Sequence, residues 1–242
     1  MKKSNILRFI SKYNLSTIEQ VKLISSKKDR QLSTSFVSDD KSVLGKVLFK
    51  DFDSEDFQVG ISETDRLKSL LSVLEEDIEI SYKKEGDKIT SLTLSDKTTN
   101  IDYVTCEECV IPKVPILSKI PVFDVELICD KDFITKFIKA KNALPESNTF
   151  AIVQDDSKLN IYLGYSSNNT NRVKLEVKGV SGKDKIPKTI HFSSKYFKEI
   201  LVANSEVTEF KFYVSSKGLA KVEFEKDNFF SEYFFVEIKI ED

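Results

Sequence analysis

The sequence predicts an α+β protein made of two copies of one unit, each with two helices packed on antiparallel sheets. Three observations carry that expectation: an internal repeat, two rounds of alternating helical and strand periodicity, and a proline-bearing stretch between them. Residues 64–103 overlay 194–233 without a gap at a shift of 130, matching Leu67 with Phe197, Leu70 with Ile200, Leu71 with Leu201, Glu79 with Glu209, Tyr82 with Phe212 and Tyr103 with Tyr233. A shift of 128 pairs Lys3 with Lys131, Arg8 with Lys136, Phe9 and Ile10 with Phe137 and Ile138, and Asn14 with Asn142. Two consecutive segments at nearly equal offsets point to duplicated supersecondary units. The predicted domains are 1–108 and 122–242, joined by a connector at 109–121.

Each element follows from local pattern. Residues 4–14 place Ile6, Leu7, Phe9, Ile10 and Tyr13 on one helical face, with Ser4 as the expected cap and Arg8 and Lys12 pointing away. Short alternating runs between Val21 and Phe49, broken by Ser, Asp and Lys clusters, predict antiparallel strands. After Phe57–Ile61, Thr64 is the expected cap of a second helix that turns Leu67, Leu70, Leu71 and Leu74 inward. Ile78–Tyr82, Ile89–Leu94 and Ile101–Val104 then form a meander.

The plan recurs. Val122–Ile128 predicts a strand, and Asp130 caps a helix with a stripe of Phe133, Ile134, Phe137 and Ile138. Strands follow at Phe150–Val153, Leu159–Tyr165 and Val173–Val177. Ser194 is placed as the cap of a helix carrying Tyr196, Phe197, Ile200 and Leu201, before strands at Phe210–Val214, Ala220–Phe224 and Tyr233–Ile240. In the connector, Pro112, Pro115 and Pro121 forbid helix and discourage a central strand. Its Val110, Ile111, Val114, Ile116, Leu117 and Ile120 are too apolar for a solvated linker. The connector therefore either packs along the body or edges an apolar groove.

Composition narrows the function. At 242 residues, with hydrophobic residues at 40% and no apolar run near the ~20 residues of a membrane helix, the chain reads as soluble. Arg8 and Lys12 interrupt any signal-peptide core after Met1-Lys2-Lys3. Three cysteines cannot all pair with one another, which suits a reducing cytoplasm. With only 7 glycines, phosphate-cradling loops are not expected. Cys106-Glu-Glu-Cys109 has zinc-compatible spacing, but only Cys129 and His191 could complete four ligands, so no metal or other cofactor is expected. His191 lies in a strand-like run without an identifiable nucleophile. The acid pairs Asp39-Asp40, Glu75-Glu76 and Asp155-Asp156 fall at predicted turns and helix ends, and Asn168-Asn-Thr170 matters only in an exported protein. No enzyme is expected.

Charge is segregated. The helical windows 2–14, 64–74, 131–142 and 194–202 hold 12 of the 37 basic residues but only 3 of the 39 acidic ones, Asp65, Asp132 and Glu199. The windows are thus strongly positive within a chain of net charge −2, and the remainder is acidic. Solvated amphipathic faces are the plain alternative. Shared sign argues against it, because like charges three or four apart on a helix repel and ordinary surface helices mix them. An external polyanion is the expected partner.

Two halves of helix, strands, helix and strands, with basic helix faces and a proline-bearing connector, resemble a DNA polymerase sliding clamp. The likeness rests on Asn5-Ile-Leu-Arg-Phe-Ile-Ser-Lys12, Phe133-Ile-Thr-Lys-Phe-Ile-Lys139, Leu67-Lys-Ser-Leu-Leu71, Tyr196-Phe-Lys-Glu-Ile200 and Pro112–Pro121. It is nearest to the two-domain clamps of tailed bacteriophages, which share their fold with proliferating cell nuclear antigen. The resemblance implies a head-to-tail homotrimeric ring around sequence-independent duplex DNA, with a DNA polymerase and a clamp loader as partners, in the cytoplasm of a bacterial host if phage-encoded. A ring that cannot leave sideways needs only weak, salt-screened phosphate contacts.

The resemblance also implies site residues. Arg8, Lys12, Lys136 and Lys139 are expected as principal phosphate-facing residues, with Lys3, Arg66, Lys68, Lys131, Lys141, Lys195 and Lys198 beside them. Val114, Ile116, Leu117 and Ile120 are expected to border a groove for partner peptides. Subunits are expected to meet through Asn100–Thr105 and 172–178, including Ile101, Tyr103, Val173, Lys174 and Leu175. A monomeric DNA-binding processivity accessory protein of the same fold and a non-DNA structural assembly protein remain as rival readings.

Overall fold

The computed structural model describes residues 1–155, 158–166, 171–177, 179–181, 186 and 188–240. Asp156 and Asn168–Thr170 lie outside the described residues, as does position 178 of the expected subunit edge. The chain divides into two compact units. Unit 1 is Met1–Val37, Gly45–Val114 and Asp227–Ser231; unit 2 is Ser38–Leu44, Pro115–Lys226 and Glu232–Asp242.

In unit 1, helix α1 (Lys3–Asn14) is followed by β1 (Val21–Ser26), β2 (Gln31–Val37), β3 (Val43–Lys50, from Gly45 onward in this unit) and β4 (Phe57–Ile61). Strand β1 pairs antiparallel with both β2 and β4. Helix α2 (Thr64–Val73) leads into β5 (Glu79–Glu85), β6 (Lys88–Ser95) and β7 (Asn100–Val104), an antiparallel sheet in that order. The core is dry: Ile6, Phe9 and Ile10 of α1 and Leu67 and Leu71 of α2 meet Leu23, Leu32, Phe57, Leu92 and Leu94 of the strands. Gly60 is needed for a close approach, since a Cβ there would lie 2.7 Å from Cys106 Sγ and 2.8 Å from Ile111 Cδ1.

In unit 2, β8 (Val125–Asp130) and α3 (Lys131–Ala143) precede β9 (Thr149–Asp155), β10 (Lys158–Leu163), β11 (Val173–Glu176), β12 (Gly179–Ser181) and β13 (Ile190–Ser193). Helix α4 (Ser194–Ala203) and strands β14 (Glu209–Ser215), β15 (Leu219–Lys226) and β16 (Phe229–Val236, from Glu232 onward in this unit) complete the order. One sheet runs β11-β10-β9-β13, and β12, β8, β14 and β15 are neighbours in another. Phe197 of α4 centres an aromatic core, with ring centroids 4.7 Å from Phe137, 4.8 Å from Phe150, 5.3 Å from Phe212 and 5.6 Å from Phe235.

The duplication holds at the level of element boundaries. A shift of 130 carries α2 onto α4 and β5 onto β14 end to end. A shift of 128 carries α1 onto all but the last residue of α3. The copies differ where β8 pairs with β14 over six residues, because Lys2 makes only an isolated bridge to Asp77.

Three predicted caps are corrected. Ser4 lies inside α1, where its N–H and hydroxyl donate to the Glu76 carboxylate. Thr64 opens α2 but its hydroxyl donates to the Glu19 carbonyl. Ser193, not Ser194, caps α4, while the Ser194 hydroxyl donates to the Ser147 carbonyl. Asp130 caps α3 as expected, accepting from Phe133 N at 2.8 Å. The connector forms no strand or α-helix between Val110 and Val125, and a single 3-10 turn at Glu108–Val110 opens it.

Candidate nucleic-acid interface

The two helices of each unit lie together, α1 with α2 and α3 with α4, each burying one apolar face, and α2, α3 and α4 carry exposed cations. Among the expected contacts, Arg66, Lys131, Lys136, Lys139 and Lys195 are exposed and Lys3, Arg8, Lys68 and Lys198 are half-buried. Two are corrected. Lys12 is only 1% exposed and Lys141 only 8%, so neither ammonium can face a phosphate.

Their burial has identifiable causes. Lys12 follows Arg8 by one helical turn, and both meet the face of Phe229, with the Arg8 guanidinium carbon 4.5 Å and Lys12 Nζ 5.8 Å from the ring centroid. The negative π-face attracts both cations. Phe229 in turn stacks on Phe49 at 4.7 Å, and Asp227 accepts from Arg8 at 2.9 Å. Lys141 folds over the end of its own helix and donates to the carbonyls of Pro145 at 2.7 Å and Leu144 at 3.5 Å, just beyond the helix terminus. Burial, with Lys198 nearby, lowers its ammonium below the ordinary lysine range.

The outward cations are less free than their number suggests. Arg66 pairs with Glu63 at 2.9 Å, Lys68 with Asp65 at 3.0 Å, Lys136 with Asp132 at 2.7 Å and Lys198 with Glu199 at 3.8 Å. The Asp132 pair raises Lys136 above its ordinary value, fixing it as a cation. Lys3 donates to the Leu74 carbonyl. Lys131, Lys139 and Lys195 carry no ion pair among the described residues; Lys195 rests over Tyr196 at 5.5 Å.

Both expected subunit edges lie at sheet edges in their own units. β7 ends the order β5-β6-β7, and β11 ends β11-β10-β9-β13. Their side chains correct the expectation in part. Tyr103 is 3% exposed, its hydroxyl accepting from Glu63 N at 3.2 Å, and Leu175 is buried, so both are core groups of their units. Ile101 and Val173 are half-buried, while Lys174 is exposed beside Tyr162. A cleft of about 410 Å³ beside β11 is lined by Ile128, Asp130, Asp132, Phe133, Lys136 and Lys174–Val177.

In the connector, Ile116 is 91% exposed and Ile120 51%, whereas Val114 and Leu117 are half-buried. All three thiols are free. Cys129 is buried, which pushes its thiol up. Cys106 and Cys109 line a crevice of about 600 Å³ with Gln58–Gly60, Asp87–Thr90 and Val104–Glu108, but no group of three or more potential ligands among the described residues could hold a metal ion. His191 lies on β13 with its ring 6.0 Å from Tyr165. No helix among the described residues is long and apolar enough to cross a membrane.

Compared with solved structures, the whole of this chain superposes on A. fulgidus PCNA, solved with the C-terminal region of FEN-1 bound, at a TM-score of 0.75. The match covers 98% of that chain at 13% identity. The fold is that of proliferating cell nuclear antigen. Proliferating cellular nuclear antigen from Entamoeba histolytica matches at 0.73 and 13% identity over 98% of this chain and 96% of its own. The PCNA2-PCNA3 complex from Sulfolobus tokodaii matches at 0.71 and 11% identity over 98% and 97%. No family model and no curated protein matches the sequence.

Sequence reasoning missed Asp227 and Phe229 as partners of α1. The Asp227-Asn228 turn is visible in the sequence, and Asp227 takes the left-handed conformation that Asp tolerates (φ 53°). Nothing local links that turn to a helix more than 200 residues earlier.

Proposed function

We propose that this chain is a non-enzymatic processivity accessory protein of the clamp fold that tethers a DNA polymerase to duplex DNA. The observation that carries the reading is the clamp fold itself, spanning the whole chain, joined to exposed cations on helices of both units, Arg66 in unit 1 and Lys131, Lys136, Lys139 and Lys195 in unit 2. Lys131, Lys139 and Lys195 are proposed as the principal phosphate contacts, with Lys136, Arg66, Lys68, Lys198, Lys3 and Arg8 in support. Such contacts position without reading bases.

We propose further that three copies close into a ring through β7 of one chain and β11 of the next. Two edge strands in one chain support this, since pairing removes exposed edges and a heterologous interface closes when its rotation permits. A monomeric accessory protein would share the fold equally, and it differs in native mass. The connector is proposed as the border of a peptide groove through Ile116 and Ile120, with Val114 and Leu117 behind them; a FEN-1 region bound to the A. fulgidus protein supports peptide binding by this fold. A clamp loader is the expected partner, and the cytoplasm the expected compartment.

The test is a primer-extension assay with the cognate polymerase. Added protein should lengthen products, and a Lys131→Glu, Lys136→Glu, Lys139→Glu variant should not. Equal product lengths with and without the wild-type protein would refute the tethering role.

A further inference from the structure

Every acid in the four basic helices is committed to a helix cation. Asp65 holds Lys68 at 3.0 Å, Asp132 holds Lys136 at 2.7 Å and Glu199 holds Lys198 at 3.8 Å. One residue before α2, Glu63 holds Arg66 at 2.9 Å. On the assumption that the helices meet duplex DNA as proposed above, we infer that Glu63, Asp65, Asp132 and Glu199 are built-in counter-ions that weaken the grip of these helices on phosphate.

The argument is one of ion balance. A free ammonium that meets a phosphate releases a cation condensed on the DNA, and this release supplies most of the affinity and the salt dependence. A lysine already paired with a carboxylate must leave or share that partner. The displaced carboxylate then lies near phosphate, is repelled by it and recruits a cation of its own, which offsets the release. A paired lysine therefore adds little to affinity and little to the salt slope. Lys131, Lys139 and Lys195, which lack ion pairs among the described residues, supply the grip. Weak attachment suits a protein that must move along a duplex without stalling.

Two of the four pairs have the acid three residues before the cation and a third has it four before, the order that also stabilises a helix. A purely structural role is therefore the competing explanation, and it predicts no change in DNA binding when the acids are neutralised.

The experiment compares binding to a short random-sequence duplex, by fluorescence anisotropy over a salt series, for three proteins. The first is wild type and the second carries Glu63→Gln, Asp65→Asn, Asp132→Asn and Glu199→Gln. The third carries Glu55→Gln, Glu107→Gln, Glu126→Gln and Glu237→Gln. Those last carboxylates pair with Lys27, Lys88, Lys211 and Lys188 at 2.7–2.9 Å and belong to strands and loops, not to the helices, and the control changes net charge equally. The inference expects the helix variant to bind more tightly, with the slope of log affinity against log salt steeper by about 0.9 for each cation freed that meets a phosphate. It expects the control to change much less. Equal behaviour of the two variants, or a helix variant that matches wild type, overturns the inference while leaving the tethering reading standing. Absence of duplex binding by all three proteins overturns the tethering reading itself, and this inference with it.

Discussion

Phe229 decides the role of two cations that look alike in the sequence. Arg8 and Lys12 share the polar arc of α1, and the periodicity of Ile6, Phe9, Ile10 and Tyr13 reads that helix correctly. The ring that covers them arrives from a turn at the far end of the chain, so a local pattern cannot reveal it. Phe229→Ala should lower stability in urea unfolding by about 3–5 kcal/mol, as for other buried aromatics. Arg8→Ala should cost about 1 kcal/mol, the sum of one partly exposed ion pair and one cation–π contact. Lys12→Met should leave duplex affinity at the wild-type value, since its ammonium does not reach solvent. A loss of affinity equal to that of Lys139→Glu would put Lys12 back on the DNA-facing surface.

Asp96 is a second residue whose role lay below the resolution of sequence patterns. Its carboxylate accepts from the backbone N–H groups of Glu75 at 2.7 Å, Thr98 at 2.8 Å and Thr99 at 2.7 Å, tying the end of α2 to the β6–β7 turn. Those bonds favour the ionised form and lower its pKa to about 2. Because the folded value is depressed, the stabilisation is present above the unfolded value of about 4 and is lost as pH falls toward 2. Asp96→Asn should make the fall in stability between those values shallower. An unchanged acid profile by thermal melting would remove Asp96 from that role.

At the scale of elements, the helices and most strands were legible because burial imposes clean periods of 3.6 and 2 on the sequence. Caps were less legible. Ser4, Thr64 and Ser194 all sit at or within one or two residues of a helix start, but each hydroxyl serves a partner distant in sequence, and the sequence cannot show that competition. Strand β12 went unpredicted; it spans three residues, too short for alternation to register, whereas β13 coincides with the strand-like run around His191. Strands β7 and β11 both end their sheets, whereas Tyr103 and Leu175, expected at a subunit contact, are turned by the pleat into their own cores. Lys174→Glu is therefore expected to weaken any association through β11 without unfolding unit 2, read as a lower native mass with an unchanged circular dichroism spectrum. Ile116→Asp with Ile120→Asp should abolish binding of a polymerase tail peptide at little cost in stability, given how exposed both side chains are. Normal binding of that peptide by the double variant would move the groove elsewhere.

At the scale of the molecule, the duplication was the strongest signal in the sequence, and it recurs as coincident boundaries of α2 with α4 and β5 with β14. What it could not foretell is the exchange of short segments, Ser38–Leu44 grouping with unit 2 and Asp227–Ser231 with unit 1. The charge segregation was legible too, but its strength was overstated. Counting residues treats each lysine as free, while the structure neutralises four of the outward cations with acids on or beside the same helices and turns Lys12 and Lys141 inward.

The proposed ring requires the chain to assemble with copies of itself. Light scattering coupled to size exclusion, across a dilution series, measures that requirement directly. Three chains of 27.7 kDa predict a species of about 83 kDa that persists on dilution. A single species of 27.7 kDa at every concentration, still binding duplex DNA, would contradict the ring and leave a monomeric tether in its place.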